Sequence, residues 1–212
     1  IGTIISKKLV ENGHDVKIAD ARAIEHLEGK ELAGTPVLVD DVIKNIEVLI
    51  ISIPLHVLPS IRNIIDQVGE EVIIVDTSNY YPYRDGEIEE IKNGMVESVW
   101  VSNQLGRPII KGFNNLLAYT LENGGKPEDS SGRIAMAIAG DDPSRKQVVM
   151  NVVNELGFDA VDSGFLSDSW RQQPGTPAYC TELTKDELMQ ALKKANKEKA
   201  PLLRDKVMEK FS

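Results

Sequence analysis

The chain has 212 residues, 42% hydrophobic and 27% charged, with a formal net charge of −9 at pH 7. That balance suits an ordinary globular protein with one sizeable core, and an acidic total with no Lys/Arg cluster argues against a nucleic-acid surface. The longest apolar runs, such as VLIISIPL, are too short to span a bilayer, and a lone cysteine, Cys180, excludes a disulfide framework and a cysteine-based metal site. A reducing, cytoplasmic setting is expected, with no signal peptide visible in a sequence that starts inside an element.

Gly2 to Asn12 reads as an amphipathic helix with Ile4, Ile5, Leu9 and Val10 on one face. Gly13 fits the left-handed stop just beyond a helix end. Val16–Ala19 reads as a strand ending at Asp20, and a short helical segment, ARAIEHLEG, precedes the apolar stretch TPVLV at 35–39. Asp40 and Asp41 are expected to cap a brief helix through Asn45, ahead of a strand in EVLIISIP (47–54). The helix LPSIRNIIDQVG is apolar at Ile61, Ile64, Ile65 and Val68, and leads to the strand EEVIIVDTS (70–78). Continuous β-branched runs of this kind suit strands covered on both faces of a parallel sheet.

Residues 79–98 are polar with one helical stretch and are expected near the surface. WVSNQL, a strand-like PIIKGF (108–113) and a helix in NNLLAYTLEN come next. RIAMAIAGDD, PSRKQVVMNVVNELG and FDAVDSG make a further strand–helix–strand unit. Past Phe165 the pattern changes to a loop, SDSWRQQPGTPAYCTEL, and two charged helices, roughly 185–199 and 201–211, broken at Pro201. The whole predicts an α/β fold with a doubly wound, mostly parallel sheet over 1–165, followed by a loop and C-terminal helices over 166–212.

The opening helix has a specific place in such a fold. In dinucleotide-binding units the first strand leads into G-x-G-x-x-G, whose last glycine lies in the first helical turn. Gly2 stands where that third glycine falls, and Asp20 ends the next strand at the ribose-contacting position. The first strand and glycine turn, roughly ten residues, are therefore expected upstream of Ile1. Taken alone, Gly2 also reads as a helix-packing glycine.

IGTIISKKLVENGHDV, VLIISIPLHVLPSI, IIVDTSNYYPYRDG, IIKGFNNLLAYTL, AIAGDD and VDSGFLSDSW follow one another over most of residues 1–170. In this order they resemble the deazaflavin-dependent NADP reductases, together with the cytosolic nucleotide-binding domain of the STEAP metalloreductases. The resemblance implies a Rossmann domain that binds NADP(H) and exchanges a hydride with a flavin or 5-deazaflavin. It matches the last forty residues much less well.

Gly2 and Thr3 at the helix start are candidate cofactor contacts. Arg22 matches the arginine that, in the family, holds the 2′-phosphate of NADP, and a guanidinium suits bidentate phosphate binding. Asp20 points toward NAD, because a carboxylate there accepts from the ribose hydroxyls and repels a 2′-phosphate. The pair also reads as a solvated charge and an N-cap. Ser52, Ile53 and Pro54 end a strand at the carboxyl edge of the sheet, where ligands of open α/β folds bind. His56 stands at the rim, a donor to a diphosphate or to the second substrate, or a structural histidine. Thr77, Ser78 and Asn79 end the next strand and are expected to orient the nicotinamide carboxamide, with a turn cap as the plain alternative.

Lys111 and Asn115 have the K-x-x-x-N spacing of the β-hydroxyacid dehydrogenases, without the surrounding glycine-rich motif. Asn114 and Asn115 read mainly as helix-capping or pocket residues and Lys111 as an anion contact. In the late loop, Trp170 and Tyr179 offer rings to a flat heterocycle and Arg171 a partner for an anionic tail; core packing or a subunit contact explains Trp170 as well. Hydride exchange between two redox cofactors needs little acid–base chemistry and no metal. The expected function is thus an NAD(P)-dependent oxidoreductase acting on a small-molecule redox substrate. A small-molecule reductase using Lys111 and Asn115, and a non-catalytic NAD(P)-sensing protein, are the alternatives. Leu203, Val207, Met208 and Phe211 form an apolar stripe that would close either a homodimer or the chain's own core.

Overall fold

The computed structural model describes residues 1–29 and 32–208. Helix α1 (Gly2–Glu11) buries Ile5 and Ser6, and Gly13 follows it in the left-handed region at φ 86°. Strand β1 (Lys17–Ile18) pairs in parallel with β2 (Thr35–Pro36). Strands β3 (Val48–Ile51), β4 (Ile73–Asp76) and β5 (Ile110–Lys111) form a parallel sheet in that order. Among the described residues β1 and β3 are not paired with one another. The later strands β6 (Ala135–Ile138) and β7 (Asp159–Asp162) are again parallel to each other, and an antiparallel bridge from Lys111 to Ala139 joins them to β5.

The expected parallel α/β architecture is present, and its period-2 logic is visible in β4. Ile73 and Val75 face one core with Ile5, Val149, Val153 and Phe158, while Val72 and Ile74 face another with Leu58, Ile65 and Leu105. A strand buried on both faces has no solvent side, which is why its sequence is an unbroken apolar run.

Several local expectations need correction. Helix α2 (Val39–Val42) has no side-chain cap; Asp40 and Asp41 lie inside its first turn, where carboxylates favour the dipole instead. The helix predicted in LPSIRNIIDQVG is a 3-10 segment, Leu55–Ile61, followed by the short α3 (Arg62–Ile65). Pro59 inside that segment has no N–H to donate to an α-helical ladder. Residues 79–98 hold α4 (Pro82–Asp85), α5 (Glu89–Lys92) and the start of α6 (Glu97–Leu105), and they are not simply surface. Tyr80, Asp85, Glu97 and Ser98 are buried there. Helix α7 (Ala118–Asn123) begins later than predicted, which leaves Asn114 and Asn115 in a buried turn rather than at its cap.

Helix α8 (Pro143–Glu155) is the longest among the described residues, and Asp142 caps it by accepting from the backbone N–H of Ser144 at 2.9 Å and Arg145 at 3.0 Å. Replacing Asp142 with Ala should cost about 1 kcal/mol, measurable as a lower denaturation midpoint with an unchanged slope. Helix α9 (Lys185–Lys194) lays Leu188, Ala191 and Leu192 against Ala135, Ala137 and Val161. Helix α10 (Ala200–Met208) lies over Gly175, where a Cβ would meet the Ala200 carbonyl at 2.0 Å. Of the predicted stripe, Leu203 is exposed; the side chains of Val207 and Met208, and all of Phe211, lie outside the described residues. Among the described residues no helix is long and apolar enough to cross a membrane.

Candidate functional site

At the carboxyl ends of β3 and β4 the sheet's edge is built from Ser52–Pro54 and Thr77–Asn79. Helix α1 starts against that edge. A Cβ on Gly2 would stand 3.3 Å from Ser52 Cβ, so the helix start approaches β3 as closely as a glycine allows. Thr3 beside it is exposed, Ser52 and Ile53 are half-buried, and Pro54 is exposed.

At the end of β1, Asp20 and Arg22 form a two-point ion pair. Arg22 Nε donates to Oδ1 at 3.0 Å and Nη2 to Oδ2 at 2.9 Å, while the Arg22 backbone N–H adds a third bond to Oδ1. These bonds hold the Asp20 carboxyl well below the usual carboxylate range. His26 Nδ1 lies 3.4 Å from Oδ1 and joins the cluster, a neighbour the sequence reading did not identify. The Arg22 side chain remains 69% exposed, so its other donors face outward.

Thr77 ties β4 to β3, its backbone N–H and hydroxyl both donating to the Ile51 carbonyl. Ser78 is buried, and its hydroxyl has no partner among the described residues. Asn79 and Asn114 exchange amide hydrogen bonds, with Asn114 Nδ2 at 3.0 Å from Asn79 Oδ1. Asn114 also bonds Gln172 in both directions, and Gln172 Nε2 donates on to the Ala137 carbonyl. Asn115 holds the late loop, accepting at its carbonyl from Cys180 N–H at 2.8 Å. Loop 172–180 is thereby fastened over the ends of β4 and β5. Trp170 and Arg171 stack on each other, the guanidinium 4.4 Å from the ring centroid, with Arg171 near the Leu192 carbonyl of α9.

Lys111 meets an anion, but an internal one. Its Nζ is 2.7 Å from Asp76 Oδ2 with both side chains fully buried, and it also donates to the Ser78 carbonyl. Glu97 completes this buried cluster, accepting from Tyr80 N–H at 3.1 Å. Burial pushes the Glu97 carboxyl up to about 7, against the opposing pull of Lys111, the Tyr80 N–H and Arg204.

His56 is exposed at its ring, and its Nδ1 lies 2.7 Å from Oδ1 of the fully buried Asp85 side chain. Asp85 also receives Arg84 Nε and Nη2 and the Tyr81 N–H. Burial alone would raise the Asp85 carboxyl, but the Arg84 and His56 hydrogen bonds outweigh it and hold the group below its ordinary range. Next to this cluster the hydroxyls of Tyr81 and Tyr179 are hydrogen-bonded, and burial raises both phenols.

Sequence reasoning missed Asp76, Asp85, Glu97, Gln172 and His26. The one available signal was a charge closing an apolar run, Asp76 after VIIV and Lys111 after PII. Two surface clefts lie apart from the cluster, one of about 420 Å³ beside Arg133 and Lys185 and one of about 380 Å³ beside Ile24 and Leu27. Among the described residues no group of three His, Cys, Asp or Glu is arranged to hold a metal ion.

The family described as NADP oxidoreductase, coenzyme F420-dependent, matches residues 1–80. The protein YjhV of Escherichia coli strain K12 is 43% identical over 91 residues, which cover 43% of this chain and 59% of that relative. Among solved structures, the hypothetical protein SMa0349 of Sinorhizobium meliloti superposes with a TM-score of 0.72 at 25% identity, covering 88% of this chain and 91% of that one. A candidate F420-dependent NADP-reductase from Arthrobacter sp. FB24 gives 0.61 at 18% identity, covering 79% and 82%. Together with the parallel topology, these likenesses identify the fold as the Rossmann-type α/β architecture.

Proposed function

We propose that the protein is an NAD(P)-dependent oxidoreductase that passes a hydride between NAD(P)H and a flavin or 5-deazaflavin. The observation that carries this reading is that Gly2 packs on Ser52 beside Thr77–Asn79 at the carboxyl edge of the parallel β3–β4–β5 sheet, with Asp20 and Arg22 just past the end of β1 in the separate β1–β2 pair. That edge is where open α/β folds bind ligands. The match of residues 1–80 to a family of NADP oxidoreductases supports it.

The residues present fit a dinucleotide. Helix α1 sets Gly2 against the sheet edge, and the positive end of a helix dipole placed there favours a diphosphate. Gly2 permits the close approach, and the buried, unpartnered Ser78 hydroxyl offers a polar contact at the end of β4. When bound, the dinucleotide supplies the hydride. The chain's residues hold it against the sheet edge, and the loop at 172–180 and its amide network shield the ends of β4 and β5 from water.

Asp20 is neutralised by Arg22, which also faces solvent, so both cofactors should be used with roughly tenfold discrimination or less, about 1.4 kcal/mol. The test is kcat/KM for NADH and NADPH with FMN and 5-deazariboflavin as acceptors. Asp20→Asn should move preference toward NADPH, and Arg22→Ala should weaken NADPH more than NADH. A ratio unchanged in both variants would show that neither side chain reads the 2′ position, and failure to turn over either acceptor would remove the hydride-transfer reading.

A further inference from the structure

His56 is the exposed member of a built pair. Its carboxylate partner Asp85 has no exposed side-chain surface, whereas the imidazole is 44% exposed. With Nδ1 facing Asp85 at 2.7 Å, the neutral ring carries its proton on Nδ1 and leaves Nε2 without a partner among the described residues. Asp85 is held in place: Arg84 donates through Nε to Oδ1 and through Nη2 to Oδ2, and the Tyr81 N–H also donates to Oδ2. Arg84 is itself braced, donating to the Asn79 carbonyl at 2.7 Å and lying over the Tyr81 ring at 5.2 Å. The frame therefore reaches from His56, just past the end of β3, to Asn79, just past the end of β4. Those are the two strand ends assigned above to the cofactor.

A histidine used only to pin the chain would not need a free nitrogen at the ligand edge. A histidine used to exchange protons needs this arrangement: one nitrogen fixed by a buried carboxylate that steadies the imidazolium, the other open. Asp85 touches the ring directly and Arg84 acts through Asp85, so the three groups together carry one positive charge when His56 is protonated. The net charge keeps the imidazolium from being locked as an internal salt bridge.

We propose that His56, oriented by Asp85, is the proton donor to the second substrate. This rests on the hydride-transfer reading. The hydride leaves the dihydronicotinamide with both electrons of its C–H bond and forms a bond to a ring atom of the acceptor. His56 Nε2–H breaks, and its proton goes to the conjugated heteroatom on which the negative charge would otherwise collect. The acceptor gains two electrons and two hydrogens, the nicotinamide is oxidised, and His56 is reprotonated from solvent. Asp85 is the positioning residue and stays ionised throughout.

The experiment uses the full chain, NADPH, and FMN or 5-deazariboflavin as acceptor. In the wild type, kcat should fall as pH rises, because the donor must carry a proton on Nε2. His56→Gln should lower kcat about a hundredfold and flatten that pH profile. Asp85→Asn should lower kcat at least tenfold and change the ring's tautomer, read independently of turnover from the 15N resonances of His56. In wild type those resonances should show an Nδ1-protonated neutral ring, perturbed at Nε2 when FMN is added to the NADP+-bound protein. A His56→Gln variant with wild-type kcat and pH profile overturns the proposal, as does an Nε2-protonated ring in the wild type. If the wild type binds NADPH but reduces neither acceptor, the hydride-transfer reading itself falls, a result seen before any variant is made. If Asp85→Asn fails to fold, the His56→Gln profile decides alone.

Discussion

Lys111→Met should destabilise the protein by about 3–5 kcal/mol. The substitution keeps most of the side-chain volume, so the loss is electrostatic rather than a cavity. Asp76 would be left with no exposed side-chain surface and no cation at its Oδ2, and the Ser78 carbonyl would lose its donor. Leaving one partner of a buried pair uncompensated costs far more than the pair contributes in net stability. For a chain of this size the melting temperature should drop by about 6–20 °C.

The partial remedy is as informative as the loss. Adding Asp76→Asn to Lys111→Met removes the stranded charge but keeps an oxygen for the Ser78 N–H, which now bonds Asp76 Oδ1 at 3.0 Å. The double variant should recover at least about half of the lost stability, a coupling expected for groups in one network. Were Lys111 instead a group that acts on substrate, Lys111→Met would fold like the wild type and lose turnover alone. Thermal unfolding of the wild type and the two variants separates the two roles.

This pair also explains why a buried charge stands so close to the ligand edge. Lys111 binds the carbonyl of Ser78 and Asp76 binds its N–H, so both backbone groups of the residue assigned to the cofactor are held by one ion pair. A site works when its supporting groups leave little to reorganise. The cost of burying two charges is spent on fixing one turn.

How much of this was legible in the sequence follows from the range of each interaction. Periodicity reports what one segment buries, so β4 and α8 were readable from EEVIIVDTS and from PSRKQVVMNVVNELG. Segments whose shape is set by distant partners were not. Asn114 and Asn115 looked like helix caps because asparagine before an apolar run commonly is one. Their amides instead reach Gln172, Ala178 and Ala137, up to 63 residues away. Residues 79–98 looked like surface because they are polar, yet Asp85 and Glu97 are inside, satisfied by His56, Arg84 and the Tyr80 N–H. A buried charge is invisible in one dimension until its partner is known. The candidate cofactor residues were easier to place, since ligand positions in this architecture lie at strand ends that apolar runs already mark.

Glu97 should make the protein less stable as pH rises from about 5 to 8. Its carboxyl is raised to about 7 in the folded chain by burial, while in the unfolded chain it titrates near the ordinary glutamate value of 4.5. Between those values the folded state binds the extra proton, so stability is fully present below the unfolded value and is lost as pH climbs through the folded one. The full loss is on the order of 3 kcal/mol. Lys111 and Arg204 favour the ionised form and Asp76 opposes it, so the step belongs to the cluster rather than to one group. Glu97→Gln keeps an oxygen for the Tyr80 N–H and removes the titration, and should be more stable than wild type at pH 8 while matching it near pH 5. Carboxylates held low, such as Asp85, contribute in the opposite sense at more acidic pH and are common to both proteins. The difference in unfolding free energy between the two, followed by urea titration across this range, isolates Glu97. A difference that does not grow with pH would mean that Glu97 is already ionised beside Lys111.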